Sequence, residues 1–158
     1  MDEKSKQTKT NAFKEAVDSI DDLKGGYRPG MQALKKTDSD KISVSESRNL
    51  LGSVDIDDCT KPLYPNASRW DYAIGYNQRA LFIEVHPADT SNIDEMVKKV
   101  EWLKNWLNNK GRSLKNIKRD DYFYWIPSGR CRILKTSPQY KRLAINKLSI
   151  TKHPFVIV

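Results

Sequence analysis

Apolar residues recur along this chain with two different periods. Between residues 11 and 24, Phe13, Ala16, Val17, Ile20 and Leu23 keep the i, i+3, i+4, i+7 spacing of one helical face, and Gly25-Gly26 ends it. Arg28-Pro29-Gly30 turns the chain, a short helix is expected over 31–36, and 37–49 is polar and poorly specified. Val54 and Ile56 then alternate with Asp55 and Asp57, which predicts a strand over 50–57, followed by the proline-containing loop DCTKPLYPNAS. Further strands are predicted over 69–76 and 79–87. Ser91 fits an N-cap with Asp94 at N3, opening a helix that runs to about Asn109 and ends before Gly111. Ile93, Met96, Val97, Val100, Leu103 and Leu107 form its apolar stripe, with Trp102 nearly opposite. A strand over 122–126, a turn at 127–130, a short strand over 131–134, a helix over 138–148 and a strand over 153–158 complete the pattern. In the 138–148 helix, Tyr140, Leu143, Ala144 and Leu148 are expected to face inward.

This alternation predicts an α/β fold, a mixed β-sheet flanked by helices. Residues 1–10 are a polar tail expected to be mobile. Residues 11–158 are expected to form a single domain, with an N-terminal helical region (11–49), a core (50–126) and a basic C-terminal part (127–158). No internal repeat is visible.

The segment 69–87 can be worked out residue by residue. If Asn77-Gln78 is a two-residue turn, Tyr76 pairs with Arg79, Ile74 with Leu81, Tyr72 with Ile83 and Trp70 with Val85. Side chains alternate across a sheet, so these face one way. The other face carries Gly75 across from Ala80, Ala73 across from Phe82, and Asp71 across from Glu84, with His86 two residues further along. A four-residue loop would pair Asp71 with His86 and leave the faces unchanged. Two directly opposed carboxylates repel each other. A divalent cation, a neighbouring Lys or Arg, or protonation of one acid would relieve this. Asp57 or Asp55, on the preceding strand, could reach the cluster, and the small residues Ala73 and Gly75 leave room beside it. The stripe on the 93–107 helix needs a sheet face to cover, which would partly desolvate the acids.

Charge changes the picture further. The net charge is +8, but residues 98–152 hold 15 Lys/Arg and 3 Asp/Glu, a local +12, and the remainder is −4. Such a field attracts polyanions by counterion release, with Arg112, Lys115, Lys118, Arg119, Arg130, Arg132, Lys141 and Arg142 as candidate nucleic-acid contacts and Tyr122, Tyr124 and Trp125 as stacking surface. A plain solvated basic surface is the alternative. With 38% hydrophobic and 30% charged residues, the composition is not that of a disordered chain. No apolar run reaches the ~18–20 residues that span a bilayer, and the N-terminus lacks a secretory signal. Cys59 and Cys131 give neither a disulfide framework nor zinc-ribbon spacing, so two reduced thiols and a cytoplasmic location are expected. Asn66-Ala67-Ser68 matches a glycosylation sequon, with nothing else pointing to secretion.

Asp71, followed after twelve residues by Glu84-Val85-His86, resembles the PD-(D/E)XK, or restriction-endonuclease-like, superfamily. That family's core is a helix, three strands, a helix and a strand, and its motif is an Asp starting one strand and (D/E)-x-Lys on the next. The resemblance covers about half the chain. It departs at Trp70, where the family has proline, and at His86, where the family has Lys. The resemblance implies a metal-dependent nuclease that hydrolyses DNA or RNA phosphodiesters, with Mg²⁺ or Mn²⁺ held by Asp71, Glu84 and Asp57. His86 would bind or deprotonate the attacking water, and Lys98 or Lys99 would supply the missing cation. Size and resemblance suggest a defence or toxin-type role, as in phage defence, and a homodimer is compatible because double-strand cutters need two sites. Two other readings stay open. One is a non-catalytic module on the same fold that binds nucleic acid or protein. The other is an unrelated metalloenzyme using the Asp/Glu/His cluster, with His153 as a second imidazole.

Overall fold

Asn11 opens the first helix because its side chain accepts the Lys14 N–H at 2.9 Å. Helix α1 (Ala12–Ser19) buries Phe13, Ala16 and Val17, and a 3-10 turn over Asp21–Leu23 buries Leu23, so the predicted stripe is one continuous buried face. The structure, a computed structural model, describes residues 10–152 and 154–158. The expected tail (apart from Thr10) and His153 lie outside the described residues. The chain continues through α2 (Lys36–Ser39), β1 (Ile42–Val44), β2 (Leu50–Asp55), α3 (Ile56–Thr60), β3 (Tyr72–Tyr76) and β4 (Arg79–His86). It then forms α4 (Ile93–Asn108), α5 (Arg112–Asn116), β5 (Phe123–Pro127), α6 (Lys141–Ile145), β6 (Leu148–Ile150) and β7 (Phe155–Ile157).

The main sheet has the order β2-β3-β4-β5-β6. β2, β3 and β4 form an antiparallel meander, and β5 and β6 then run parallel to β4. One face packs Ala73, Phe82, Phe123 and Trp125 against α1 and α4. The other packs Tyr72, Ile74, Leu81 and Ile83 against Ile42 and Ile157 of the parallel β1–β7 pair and against Leu34. The domain is therefore mixed α/β, with helices α1 and α4 on one face of the five-stranded sheet and the β1–β7 pair with α2 on the other. No helix among the described residues is long and apolar enough to cross a membrane.

The hairpin register is as predicted, from Tyr76–Arg79 to Tyr72–Ile83. Asn77 and Gln78 have φ of 51° and 64°, the two left-handed residues of a type I′ turn. Gln78 is an unusual choice there, and its side chain shows why it is held. Its Oε1 accepts the Ala12 N–H at 2.8 Å and its Nε2 donates to the Thr10 carbonyl at 2.7 Å, tying the hairpin tip to the start of α1.

Other expectations are corrected. Ladder pairing stops at Tyr72, and Trp70 turns to the helix-side core, edge-on to Phe123 at 5.9 Å, with its indole N–H on the Tyr72 carbonyl. The strand over 50–57 ends at Asp55, whose side chain accepts the Asp58 N–H and starts α3, so Asp57 is helical. The α4 N-terminus is organised by Asn92, whose side chain accepts the Asp89 N–H, rather than by Ser91. Residues 131–134 make only a single bridge, Arg132 to Asp89. Ala144 is exposed, and Leu148 begins β6 rather than ending a helix. The 31–36 helix falls instead at Lys36–Ser39. Trp102, opposite the α4 stripe, is covered: it stacks on Trp106 at 5.9 Å and meets Tyr64 edge-on at 5.8 Å.

Gly75 sets how closely α1 approaches the sheet. A Cβ there would lie 2.3 Å from Phe13 Cγ. Gly75→Ala should therefore cost about 1–3 kcal/mol through overpacking, read as a lowered urea midpoint at unchanged m-value. Pairing it with Phe13→Leu should recover part of the loss.

Candidate functional site

The C-terminal ends of β2, β4, β5 and β6 and the N-terminal end of β3 share one edge of the sheet, because β3 alone runs antiparallel to its neighbours there. Asp55, Asp71, Glu84 and His86 all lie along that edge. Where the ladder stops, side chains replace it. The Asp71 N–H donates to Glu84 Oε1 at 2.9 Å, and the Val85 N–H donates to Asp71 Oδ2 at 3.1 Å. The Asp71 carbonyl accepts the Ile56 N–H at 2.8 Å, so the residue is pinned from both neighbouring strands. The two acids predicted to face each other are thus brought together by a reciprocal exchange of side-chain and backbone bonds.

Lys99 of α4 reaches down to Glu84, with Nζ 2.6 Å from Oε2. Lys98, the first of the two lysines expected to supply the cation, is exposed, and it is Lys99 that meets the acids. Helix rotation of about 100° per residue could have distinguished them: Lys98 lies about 170° from the centre of the apolar stripe and Lys99 about 90°. His86 Nδ1 lies 3.6 Å from the same Glu84 oxygen, and Nε2 lies 3.2 Å from Glu95 Oε2. Glu95, one helical turn before Lys99, was not singled out from sequence. Asp57 does not join the cluster: it is drawn to Arg69, whose Nε is 2.7 Å from its Oδ1. The room expected beside Ala73 and Gly75 is filled by Phe13.

The electrostatics follow from burial. Glu84 is 1% exposed. Burial, then the charge of Asp71, push its carboxyl up to about 8, against the opposing pull of Lys99. Burial also pushes Asp71 up to about 6, opposed by Lys99 and the Val85 N–H. Desolvation alone would lower the Lys99 ammonium, but the Glu84 charge and hydrogen bond outweigh it and hold the ammonium above its ordinary value. Burial lowers His86, opposed by Glu95, so the imidazole is neutral at neutral pH. An Nε2–H tautomer would donate to Glu95 and leave the Nδ1 lone pair toward the acids.

The basic candidates separate into two groups. Lys118 donates to the Asp120 and Tyr122 carbonyls and sits 4.3 Å from the centre of the Phe123 ring. Arg119 is held by Asp120, the Tyr124 hydroxyl and the Val158 carbonyl. Arg112 and Lys115 donate to Asn108, and Arg142 pairs with Asp94. Arg130, Arg132 and Lys141 are exposed. Of the aromatic candidates, Trp125 is buried, Tyr124 stacks on Phe155 at 5.3 Å, and only Tyr122 is exposed. Cys59 and Cys131 are both free. Among the described residues, no group of three or more His, Cys, Asp or Glu is arranged to hold a metal ion.

Compared with protein-family models, curated proteins and solved structures, the chain matches none.

A raised folded-state pKa on an acid means that the folded chain binds more protons than the unfolded one between the two values. Unfolded Glu84 is ionised above about pH 6, whereas folded Glu84 titrates near 8. Stability of the metal-free protein should therefore fall between pH 6.5 and 8, by about 2 kcal/mol, or roughly 4–8 °C in Tm. His86 titrates below this window. A scan of Tm against pH in chelator checks this, and Glu84→Gln should remove most of the slope.

Proposed function

We propose that the chain is a metal-dependent nuclease of the restriction-endonuclease-like kind, hydrolysing phosphodiester bonds. The observation that carries this reading is the contact of Lys99 with Glu84. It sets a cation against the paired acids, the role a motif lysine would have and which His86 does not fill. The order helix α1, strands β2, β3 and β4, helix α4 and strand β5, with α3 inserted between β2 and β3 and α5 before β5, lends this reading support.

Asp71 and Glu84 would hold Mg²⁺ or Mn²⁺. Their chemistry fits: one open oxygen on Asp71 and spare lone pairs on Glu84 suit an ion that keeps several waters and is held by one or two carboxylates. The bound ion would act as a Lewis acid toward phosphate oxygens and acidify a coordinated water. The side chains have separate tasks. Lys99 keeps Glu84 oriented and offsets charge at the buried acids. Glu95 fixes the His86 ring. His86 Nδ1 takes the proton of the attacking water as its oxygen bonds to phosphorus, and the departing oxygen takes a proton from solvent. The defence or toxin-type role belongs to this proposal on grounds of size and resemblance.

A second reading, a binding module on the same fold, is favoured by the lack of a three-residue ligand group among the described residues. One experiment separates the two. Plasmid, single-stranded DNA and structured RNA are incubated with the protein in Mg²⁺, Mn²⁺ or chelator. Cleavage should require metal and vanish in Glu84→Ala. It should fall about 10²–10³-fold in Lys99→Ala and be unchanged in Lys98→Ala. Binding without cleavage under every condition would sink the nuclease reading in favour of the module.

A further inference from the structure

The sheet edge that carries the acids continues past His86. In the β4–β5 register His86 lies opposite Pro127, and the Ser128 N–H donates to the His86 carbonyl at 3.0 Å. Pro127 is also in the wall of a cavity of 660 Å³, so that cavity opens one strand away from His86. It sits at the C-terminal ends of the parallel strands β5 and β6, the position where open α/β sheets bind ligands. Its volume falls within the roughly 300–1,000 Å³ of small-molecule sites.

The lining has two kinds of wall. Tyr140 and Ile150 belong to the apolar one, and Arg130, Lys135 and Lys152 bring three cations. All three are exposed, and no carboxylate among the described residues pairs with any of them. Thr151 also lines the cavity, fixed by its N–H to the Trp125 carbonyl at 3.0 Å. Its Oγ1 is buried and has no hydrogen-bond partner among the described residues. A buried hydroxyl without a partner is uncommon and calls for an occupant. Three exposed cations on one cavity give it a positive field that favours an anionic ligand. The matching ligand carries a phosphate on a flat, largely apolar body, which describes a nucleotide.

We propose that this cavity receives one unpaired nucleotide of the polynucleotide on which the adjacent acid cluster acts, a proposal that rests on the nuclease reading for the identity of the strand. Arg130, Lys135 and Lys152 hold the phosphate, the Thr151 hydroxyl donates to it, and the base lies against Tyr140 and Ile150. A base still in its Watson–Crick pair cannot enter a concave site, so the substrate class is single-stranded or has a displaced or frayed nucleotide. The basic C-terminal field then acts at a defined position rather than as a diffuse surface.

Binding in chelator tests this without any cleavage. Fluorescence anisotropy would compare a labelled single-stranded oligonucleotide with its duplex, using the intact chain at several salt concentrations. Wild type should bind the single strand at least about tenfold more tightly. The double substitution Arg130→Gln and Lys152→Gln should weaken that binding about tenfold or more and flatten the salt slope by about 1.4. Tyr140→Leu should weaken the single strand alone by about five- to tenfold, and Thr151→Val should weaken it with no change in salt slope. Because Arg130 and Lys152 are exposed, unchanged Tm is expected for the double variant. Equal affinity for duplex, or indifference to these substitutions, would overturn the proposal. So would binding of a nucleoside monophosphate by a protein that binds no oligonucleotide, since the site would then serve free nucleotides. Selective binding without any cleavage would remove the nuclease reading and keep the cavity. Cleavage that depends on Glu84, with binding indifferent to Arg130, Lys152 and Tyr140, would do the reverse.

Discussion

A carboxylate on the helix-facing side of a central strand is the constraint on which the rest of this structure turns. Glu84 is buried in β4 beneath α4. An unpaired charge in that position would cost several kcal/mol. Its oxygens are satisfied from two directions, by the Asp71 N–H ahead of β3 and by the Lys99 ammonium of α4. Each partner depends on packing elsewhere. Asp71 is in place because β2 and β4 hold the chain on either side of it. Lys99 is in place because Met96, Val100 and Leu103 fix the rotation of α4 on the sheet. The hydrophobic stripe that builds the core therefore also sets the geometry of the ion pair.

Parity explains what the sequence made legible. Once Asn77-Gln78 closes the hairpin, the face of every residue from Tyr72 to Ile83 follows from counting, and so does the meeting of Asp71 with Glu84. The stripes on α1 and α4 were equally legible because each spans several turns. Local alternation failed where another interaction overrode it. Ile56 continues the period-two pattern of β2, but Asp55 offers its carboxylate to the Asp58 N–H and a helix begins one residue later. Trp70 has the parity of Tyr72, yet edge-on packing against Phe123 and a carbonyl for its indole N–H hold it in the opposite core. β1 and β6, three residues each, have too little pattern to recognise. They form because distant strands, β7 and β5, present pairing edges to them.

The site was legible to the same depth. Residue type and parity found Asp71, Glu84 and His86. Choosing between Lys98 and Lys99 required the rotation of a helix, which the stripe contains but charge does not. Composition located the basic third of the chain without separating free cations from engaged ones. Lys118 and Arg119 read as surface charge, but their donors are taken up by nearby carbonyls, a carboxylate and a tyrosine hydroxyl, while Lys135 and Lys152 face a cavity that exists only once β5 and β6 are paired.

These contacts also account for an imidazole at position 86. A lysine there would bring a second fixed cation to within a few ångströms of Lys99, and both would depend on the same Glu84 oxygen. With Lys99 supplied from α4, that position needs a group that carries no obligatory charge. His86 meets this, because burial and Lys99 lower its pKa and Glu95 takes one ring hydrogen. The neutral ring can then accept a proton, which an ammonium cannot. On the nuclease reading proposed above, a cation on the helix and a proton acceptor on the strand divide between two residues the charge and basicity that a single lysine would have to combine.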